Sequence, residues 1–114
     1  MIYEYRRYEI AVGTAKALHE RFAKHTVRLM RSHGFDIVGF WEPVVGHANH
    51  IHYLLRWEDL ASRERCYDAF ESDPEWRAVL AATPGLTVRR YNELWRPTEY
   101  SPDIRTEWPD GSAQ

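Results

Sequence analysis

A histidine on an apolar helix face is the first feature of this 114-residue sequence that suggests chemistry. His25 falls on one stripe with Leu18, Phe22 and Leu29 at helical spacing, so its ring is expected to face a sheet. An imidazole accepts a proton near neutral pH and could take one from an acidic carbon or a phenol. His25 is therefore the candidate catalytic base, and a core histidine bonded to a tyrosine or a carbonyl group is the alternative.

Three further histidines, His47, His50 and His52, lie close together in the sequence and suggest a metal site. An extended strand, however, places the Cα atoms of His50 and His52 about 6–7 Å apart. No cysteine or acid lies at ligand spacing from them. We expect polar residues of a strand face here, and we predict neither a metal nor a cofactor.

Aromatic residues make up 14% of the chain, with five Trp and seven Tyr, which is enough to form the walls of a pocket for a planar apolar ligand. Core packing and contacts between subunits are the competing uses of such rings. The residues expected to bind a ligand are Tyr3, Tyr5, Phe22, His25, Trp41, Tyr53, Trp57 and Trp76.

Six arginines lie on or near predicted strands: Arg6, Arg7, Arg56, Arg63, Arg89 and Arg90. They could hold the carboxylate of a ligand or pair with acids such as Glu4 on neighbouring strands. Pairing with acids is the expectation, and Arg63 is expected to stabilise the corner between a strand and a helix.

The pattern of apolar residues predicts strands over 2–10, 35–45, 50–57 and 86–95, and helices over 15–33, 60–70 and 75–82. Thr14, Asp59 and Asp73 are the predicted N-caps, with Pro74 in the first turn of its helix. Gly34 is expected to end the first helix. The order is that of an α+β, ferredoxin-like βαββαβ fold, with both helices on one face of a four-stranded antiparallel sheet.

The second face of this predicted sheet has no cover from the chain itself, yet both faces carry large apolar groups. Tyr3 and Tyr5 alternate with Ile2 and Tyr8, and Ile37 is expected to share a face with Trp41, opposite Phe40. An uncovered apolar face of this size is unusual in a monomer. We therefore predict a homodimer that packs sheet against sheet about a two-fold axis.

Composition excludes several classes of protein. The net charge is −2, so there is no basic excess for binding nucleic acid, and the single cysteine cannot form an intramolecular disulfide. No stretch approaches the length of a membrane helix, and we expect a soluble, cytoplasmic protein. Residues 1–97 form the predicted domain, and 98–114 are an acidic tail with prolines, which Ile104 and Trp108 could attach to the body or to a partner chain.

Several short segments share their pattern with a known family: Met-Ile-Tyr-Glu-Tyr-Arg at 1–6, His33-Gly34, Gly39-Phe40-Trp41-Glu42, Trp57-Glu58-Asp59-Leu60-Ala61-Ser62-Arg63, Asp73-Pro74-Glu75-Trp76 and Arg96-Pro97-Thr98. Over residues 1–100 the chain resembles the NIPSNAP family. The resemblance implies a dimeric α+β barrel, an architecture shared with antibiotic-biosynthesis monooxygenases, haem-degrading oxygenases and muconolactone isomerases. It implies no particular reaction.

The sequence thus predicts a NIPSNAP-like homodimer that binds a small apolar or aromatic molecule between its helices and its sheet. A cofactor-independent monooxygenase or isomerase is one alternative, with His25 as base and tyrosine or arginine groups stabilising an enolate-like anion. A non-catalytic module for protein interaction, whose aromatic residues serve the dimer and a partner, is the other.

Overall fold

The structure is a computed structural model that describes residues 1–102 and 104. Most of the predicted tail, with Trp108, lies outside these described residues. The elements in chain order are β1 (Ile2–Ile10), α1 (Ala15–Arg21), a π-helical turn (Phe22–Thr26), α2 (Val27–Ser32), β2 (Asp36–Trp41), β3 (His50–Trp57), α3 (Leu60–Glu71), α4 (Pro74–Ala82) and β4 (Thr87–Trp95).

The four strands form one antiparallel sheet in the order β2-β3-β1-β4. This order and the helical connections confirm the predicted α+β, ferredoxin-like fold. On β3, Ile51, Tyr53, Leu55 and Trp57 are buried in strict alternation, so they mark the face of the sheet that the helices cover. The core therefore lies between the helices and this face.

Two of the three predicted caps are confirmed. The carboxylate of Asp59 accepts a hydrogen bond from the Ser62 amide at 2.8 Å, and that of Asp73 accepts one from the Glu75 amide at 2.8 Å. Thr14 occupies the N-cap position of α1 as predicted, but its hydroxyl does not cap the helix and donates instead to the carbonyl oxygens of Ala11 and Leu86. It thus ties the start of α1 to the residue before β4.

The first helix is not continuous as predicted, because a π-helical turn interrupts it at Phe22–Thr26. Such a turn contains one residue more than an α-helical turn, so it rotates the residues that follow it. Thr26 consequently faces the sheet and is buried, while His25 is only half-buried. The predicted stripe that included His25 assumed an uninterrupted α-helical period and is wrong at that position.

Strand β2 contains a bulge between Ile37 and Gly39, which pair with the consecutive residues Leu55 and Leu54 of β3. The extra residue reverses the alternation beyond it. Phe40 therefore packs against Tyr53 on the helix-covered face, with ring centroids 4.9 Å apart. Trp41 lies on the other face and is 53% exposed, so the predicted pairing of Ile37 with Trp41 on one face is wrong.

Gly34 follows the last turn of α2 as predicted and has a φ of +86°, so a substitution there tests whether this position needs glycine. Gly34→Ala is expected to lower the free energy of unfolding by about 1–2 kcal/mol, because a side chain is strained in this left-handed region. A Cβ there would also lie 3.3 Å from Cys66 Sγ. Gly13→Ala is the matched control, since Gly13 has a φ of +81° and open space around it.

Thermal or urea unfolding of the two variants separates the effect of backbone strain, which both share, from the effect of the close contact with Cys66, which only Gly34→Ala has. Both should lose stability, and Gly34→Ala should lose more. A Gly34→Ala protein as stable as the unsubstituted one would contradict the left-handed backbone conformation of Gly34.

Candidate functional site

A cavity of about 310 Å³ lies between the helices and the sheet. The π-helical turn supplies part of its wall through Phe22 and Thr26, and π-helical turns are frequent at functional sites. The described residues that line it are Arg6, Tyr8, Arg21, Phe22, Thr26, Met30, Tyr53, Tyr67, Phe70, Glu71, Trp76, Leu80 and Arg90. Rings from the sheet and from three helical segments thus surround one space.

Phenol groups line the sheet side of this cavity. The hydroxyls of Tyr8 and Tyr53 lie 2.7 Å apart, and Arg6 Nη1 donates to the Tyr67 hydroxyl at 2.9 Å. Tyr53 is fully buried, and this burial, together with the neighbouring Tyr8, raises its pKa well above the usual value for a phenol. Burial also raises the pKa of Tyr67. Tyr53 and Tyr67 therefore carry their protons at neutral pH.

A buried carboxylate fixes the arginine beside these phenols. Glu4 is fully buried and accepts hydrogen bonds from Arg6 Nη1 at 3.0 Å and from Arg63 Nε at 2.9 Å. Trp57 Nε1 and Asn92 Nδ2 donate to the same carboxylate at 3.0 and 3.2 Å. The expected pairing of strand arginines with acids is confirmed at Glu4, and Arg63 joins the start of α3 to β1.

Three of the predicted ligand-binding residues line the cavity: Phe22, Tyr53 and Trp76. Trp57 is buried elsewhere in the core, where its ring packs against Phe35 with centroids 4.9 Å apart. It is therefore a core residue and a hydrogen-bond donor to Glu4.

His25 does not belong to the cavity lining. It is half-buried, and its Nδ1 is buried without a hydrogen-bond partner among the described residues. It lies near Glu75, in the first turn of α4. A base at this position does not face a ligand in the cavity.

The remaining predicted residues, Tyr3, Tyr5 and Trp41, lie on the opposite side of the sheet. Strand alternation explains this, because Glu4 and Tyr8 of β1 are buried against the helices and Tyr3 and Tyr5 must point the other way. We call this side the open face and define it by Tyr3, Tyr5, Trp41, His52, Leu54, Tyr91 and Trp95.

The open face is rich in exposed rings. Trp95 is 44% exposed and stacks on Tyr5 with centroids 5.0 Å apart, and Arg7 lies 4.1 Å from the ring centre of Tyr91. Ile104 reaches one end of the face, where its carbonyl oxygen accepts a hydrogen bond from Arg56.

His50 and His52 lie on β3, and His47 lies in the connection that precedes this strand. The rings of His47 and His50 are 5.1 Å apart, and His52 Nδ1 lies 2.7 Å from the hydroxyl of Tyr5. In residues 1–102 and 104 no set of three His, Cys, Asp or Glu side chains is placed to hold a metal ion. The same residues contain no helix with the length and hydropathy needed to cross a bilayer.

Sequence reasoning missed Arg21, Thr26 and Tyr67 as lining residues. Thr26 depends on the π-helical turn, for which the sequence gives no periodic signal. Arg21 and Tyr67 look like ordinary polar positions of amphipathic helices, and only the packing of the helices on the sheet brings them to one space.

Comparison with known proteins gives a family and a fold. The family model NIPSNAP matches residues 3–102. The chain is similar to an uncharacterised NIPSNAP-like domain protein from Burkholderia xenovorans, with 25% identity over 96% of both chains and a TM-score of 0.83. It is also similar to a NIPSNAP family protein of unknown function from Agrobacterium tumefaciens, with 24% identity, 90% and 92% coverage and a TM-score of 0.83.

A more distant likeness is to a protein described as an antibiotic biosynthesis monooxygenase. It has 10% identity, covers 86% of this chain and 99% of that chain, and has a TM-score of 0.60. At this identity the likeness concerns the fold alone. Among curated proteins, none matches the chain.

Proposed function

The chain belongs to the NIPSNAP family, and from that premise we propose that it binds a small aromatic molecule in the cavity between its helices and its sheet. One observation carries the proposal, namely an aromatic-walled space of about 310 Å³ between the two layers of the fold. Ligand sites are typically concave, mostly apolar and provided with a few polar groups that orient the ligand. Rings of Phe22, Tyr53 and Trp76 supply the apolar walls here, and Arg6 and Arg21 supply donors.

The protonation states of the groups around the cavity support ligand binding better than they support catalysis. A general base must reach the proton that it removes. His25 lies outside the lining, and the phenols of Tyr53 and Tyr67 hold their protons at neutral pH. Glu71, the acid in the lining, is exposed to solvent. These groups suit a site that orients a ligand through donated hydrogen bonds.

We further propose that two copies of the chain pack through their open faces. Trp41 and Trp95 are 53% and 44% exposed on that side of the sheet, and Leu54 lies between them on the central strand β3. A patch of this kind on a sheet without a covering layer is typical of an interface. We propose a second copy of the chain as the partner, since a two-fold axis places the open face of one copy against the open face of the other.

The cavity proposal predicts that Thr26→Leu weakens the binding of an uncharged aromatic probe, cinnamamide, by about tenfold or more. Thr26 is buried on the π-helical turn, and its side chain lines the cavity. A leucine there would fill space that the ring of the probe needs. Isothermal titration calorimetry on the purified protein measures the change in dissociation constant.

Ala23→Leu is the matched control, because Ala23 lies on the same turn and is exposed to solvent. It should leave the affinity for cinnamamide unchanged. The proposed function fails if no cinnamamide binds to the unsubstituted protein at millimolar concentration, or if both leucine variants bind it equally.

A further inference from the structure

We propose that the ligand of this cavity is an aromatic carboxylate whose acidic group lies between Arg21 and Arg90. The inference rests on the proposed function and adds the chemical class of the ligand. It follows from the distribution of charge around the cavity and from the hydrogen bonds that its arginines make.

Arg6 lines the cavity and pairs with an acid. Its Nη1 donates to Glu4 at 3.0 Å and to the Tyr67 hydroxyl at 2.9 Å. Glu4 is shared with Arg63, however, so one negative charge faces two positive charges. This cluster keeps a net charge of +1 beside the cavity and attracts an anion, although Arg6 already donates through Nη1 to two partners and only its buried Nε has none among the described residues.

Two further arginines, Arg21 and Arg90, line the cavity. Within the described residues, neither Arg21 nor Arg90 forms an ion pair, and Glu71 pairs with neither of them. Arg21 Nη1 makes only long hydrogen bonds to Thr83, at 3.3 and 3.4 Å, and its buried Nε has no partner. A partly buried guanidinium with unused donors is costly unless an acceptor is bound to it.

The two guanidinium groups also repel each other. Burial lowers the pKa of Arg21, and the positive charge of Arg90 lowers it further. One carboxylate between them would remove the repulsion and supply two acceptor oxygens to two planar donors. The cavity lining thus presents two guanidinium groups to one carboxylate.

Trp76 lines the cavity and offers a surface on which the ring of the ligand can pack. The Arg21 guanidinium carbon lies 5.8 Å from the ring centre of Trp76, and Phe22 follows Arg21 directly on the helix. A planar ring that packs on Trp76 would therefore bring an attached carboxylate within reach of Arg21. Arg90 stands directly opposite Tyr8 in the β1–β4 pairing and faces the same space from the sheet.

The test compares cinnamate with its uncharged amide, cinnamamide, at neutral pH by calorimetry. The unsubstituted protein is expected to bind cinnamate about tenfold more tightly or better. Arg21→Gln and Arg90→Gln should each bring this ratio close to one, because each removes one of the two charges that distinguish the carboxylate from the amide. Arg89→Gln is the matched control, since Arg89 is the neighbouring residue on β4, carries the same charge and bonds Tyr91 of the open face.

The outcomes separate the two proposals. Equal affinities for cinnamate and cinnamamide in the unsubstituted protein overturn this inference and leave the proposed function standing. A preference that survives in both Arg21→Gln and Arg90→Gln, or that is lost equally in Arg89→Gln, also overturns it. Failure of both probes to bind overturns the inference together with the proposed function.

Discussion

Glu4→Gln is expected to lower the free energy of unfolding by about 3–5 kcal/mol, the usual effect of removing one partner of a buried ion pair. Glu4 is fully buried and neutralises Arg6 and Arg63, whose side chains are largely shielded from water. Glutamine keeps the shape of the side chain but removes the charge, so both guanidinium groups remain without a counterion. Urea unfolding at one protein concentration measures the difference.

Glu9→Gln is the matched control on the same strand, because Glu9 lies on the side of β1 away from the helices, where it pairs with His50 of β3. It should change the stability by no more than about 0.5 kcal/mol. Equal losses in Glu4→Gln and Glu9→Gln would show that the cluster around Glu4 contributes nothing specific.

The same carboxylate predicts how stability depends on pH. Burial alone would raise the pKa of Glu4, but the hydrogen bonds of Arg63 and the charges of Arg6 and Arg63 outweigh it, so the pKa lies below its ordinary value. The unfolded chain then binds a proton more readily than the folded one. The stabilisation is therefore complete above the ordinary carboxylate range and is lost as the pH falls below it. Glu4→Gln should show a shallower loss in acid.

Leu54→Asp is expected to weaken self-association by about 100-fold or more, which corresponds to about 3 kcal/mol. Leu54 pairs with Tyr5 on the central strands of the open face. In a sheet-to-sheet dimer the aspartate at this position would be buried as a carboxylate without a counterion. Because the two copies are related by a two-fold axis, the interface would contain two such carboxylates. Sedimentation equilibrium measures the dissociation constant, and far-UV circular dichroism checks that the fold is kept.

Val44→Asp is the control, because it introduces the same charge at a fully exposed position after β2. It should sediment like the unsubstituted protein. The dimer proposal fails if the unsubstituted chain is monomeric at micromolar concentration, or if both aspartate variants associate equally.

Much of the fold could be predicted because strands, caps and turns have local signals. The bounds of β1 and β3 match the prediction, and Asp59 and Asp73 cap their helices as expected. The π-helical turn and the bulge in β2 could not be predicted, because each inserts one residue into a regular pattern. These two irregularities redirect the side chains of Thr26 and Phe40. A regular helical or strand period therefore did not predict that Thr26 and Phe40 face the core between the helices and the sheet.

The residues of the site were predictable only in part. Tyr53 and Trp76 are large rings on regular elements, and Phe22 is the first residue of the π-helical turn, so strand alternation or helical period still places all three in the core. The charged part of the site depends on how elements pack. Arg21 and Arg90 are far apart in sequence and line the same cavity only in the folded chain.

The most direct test of the account is to locate bound cinnamate by intermolecular nuclear Overhauser effects. Contacts are expected from the ring protons of cinnamate to Phe22 and Trp76 inside the cavity. Contacts confined to Tyr5 and Trp95 on the open face, with none to Phe22 or Trp76, would contradict it.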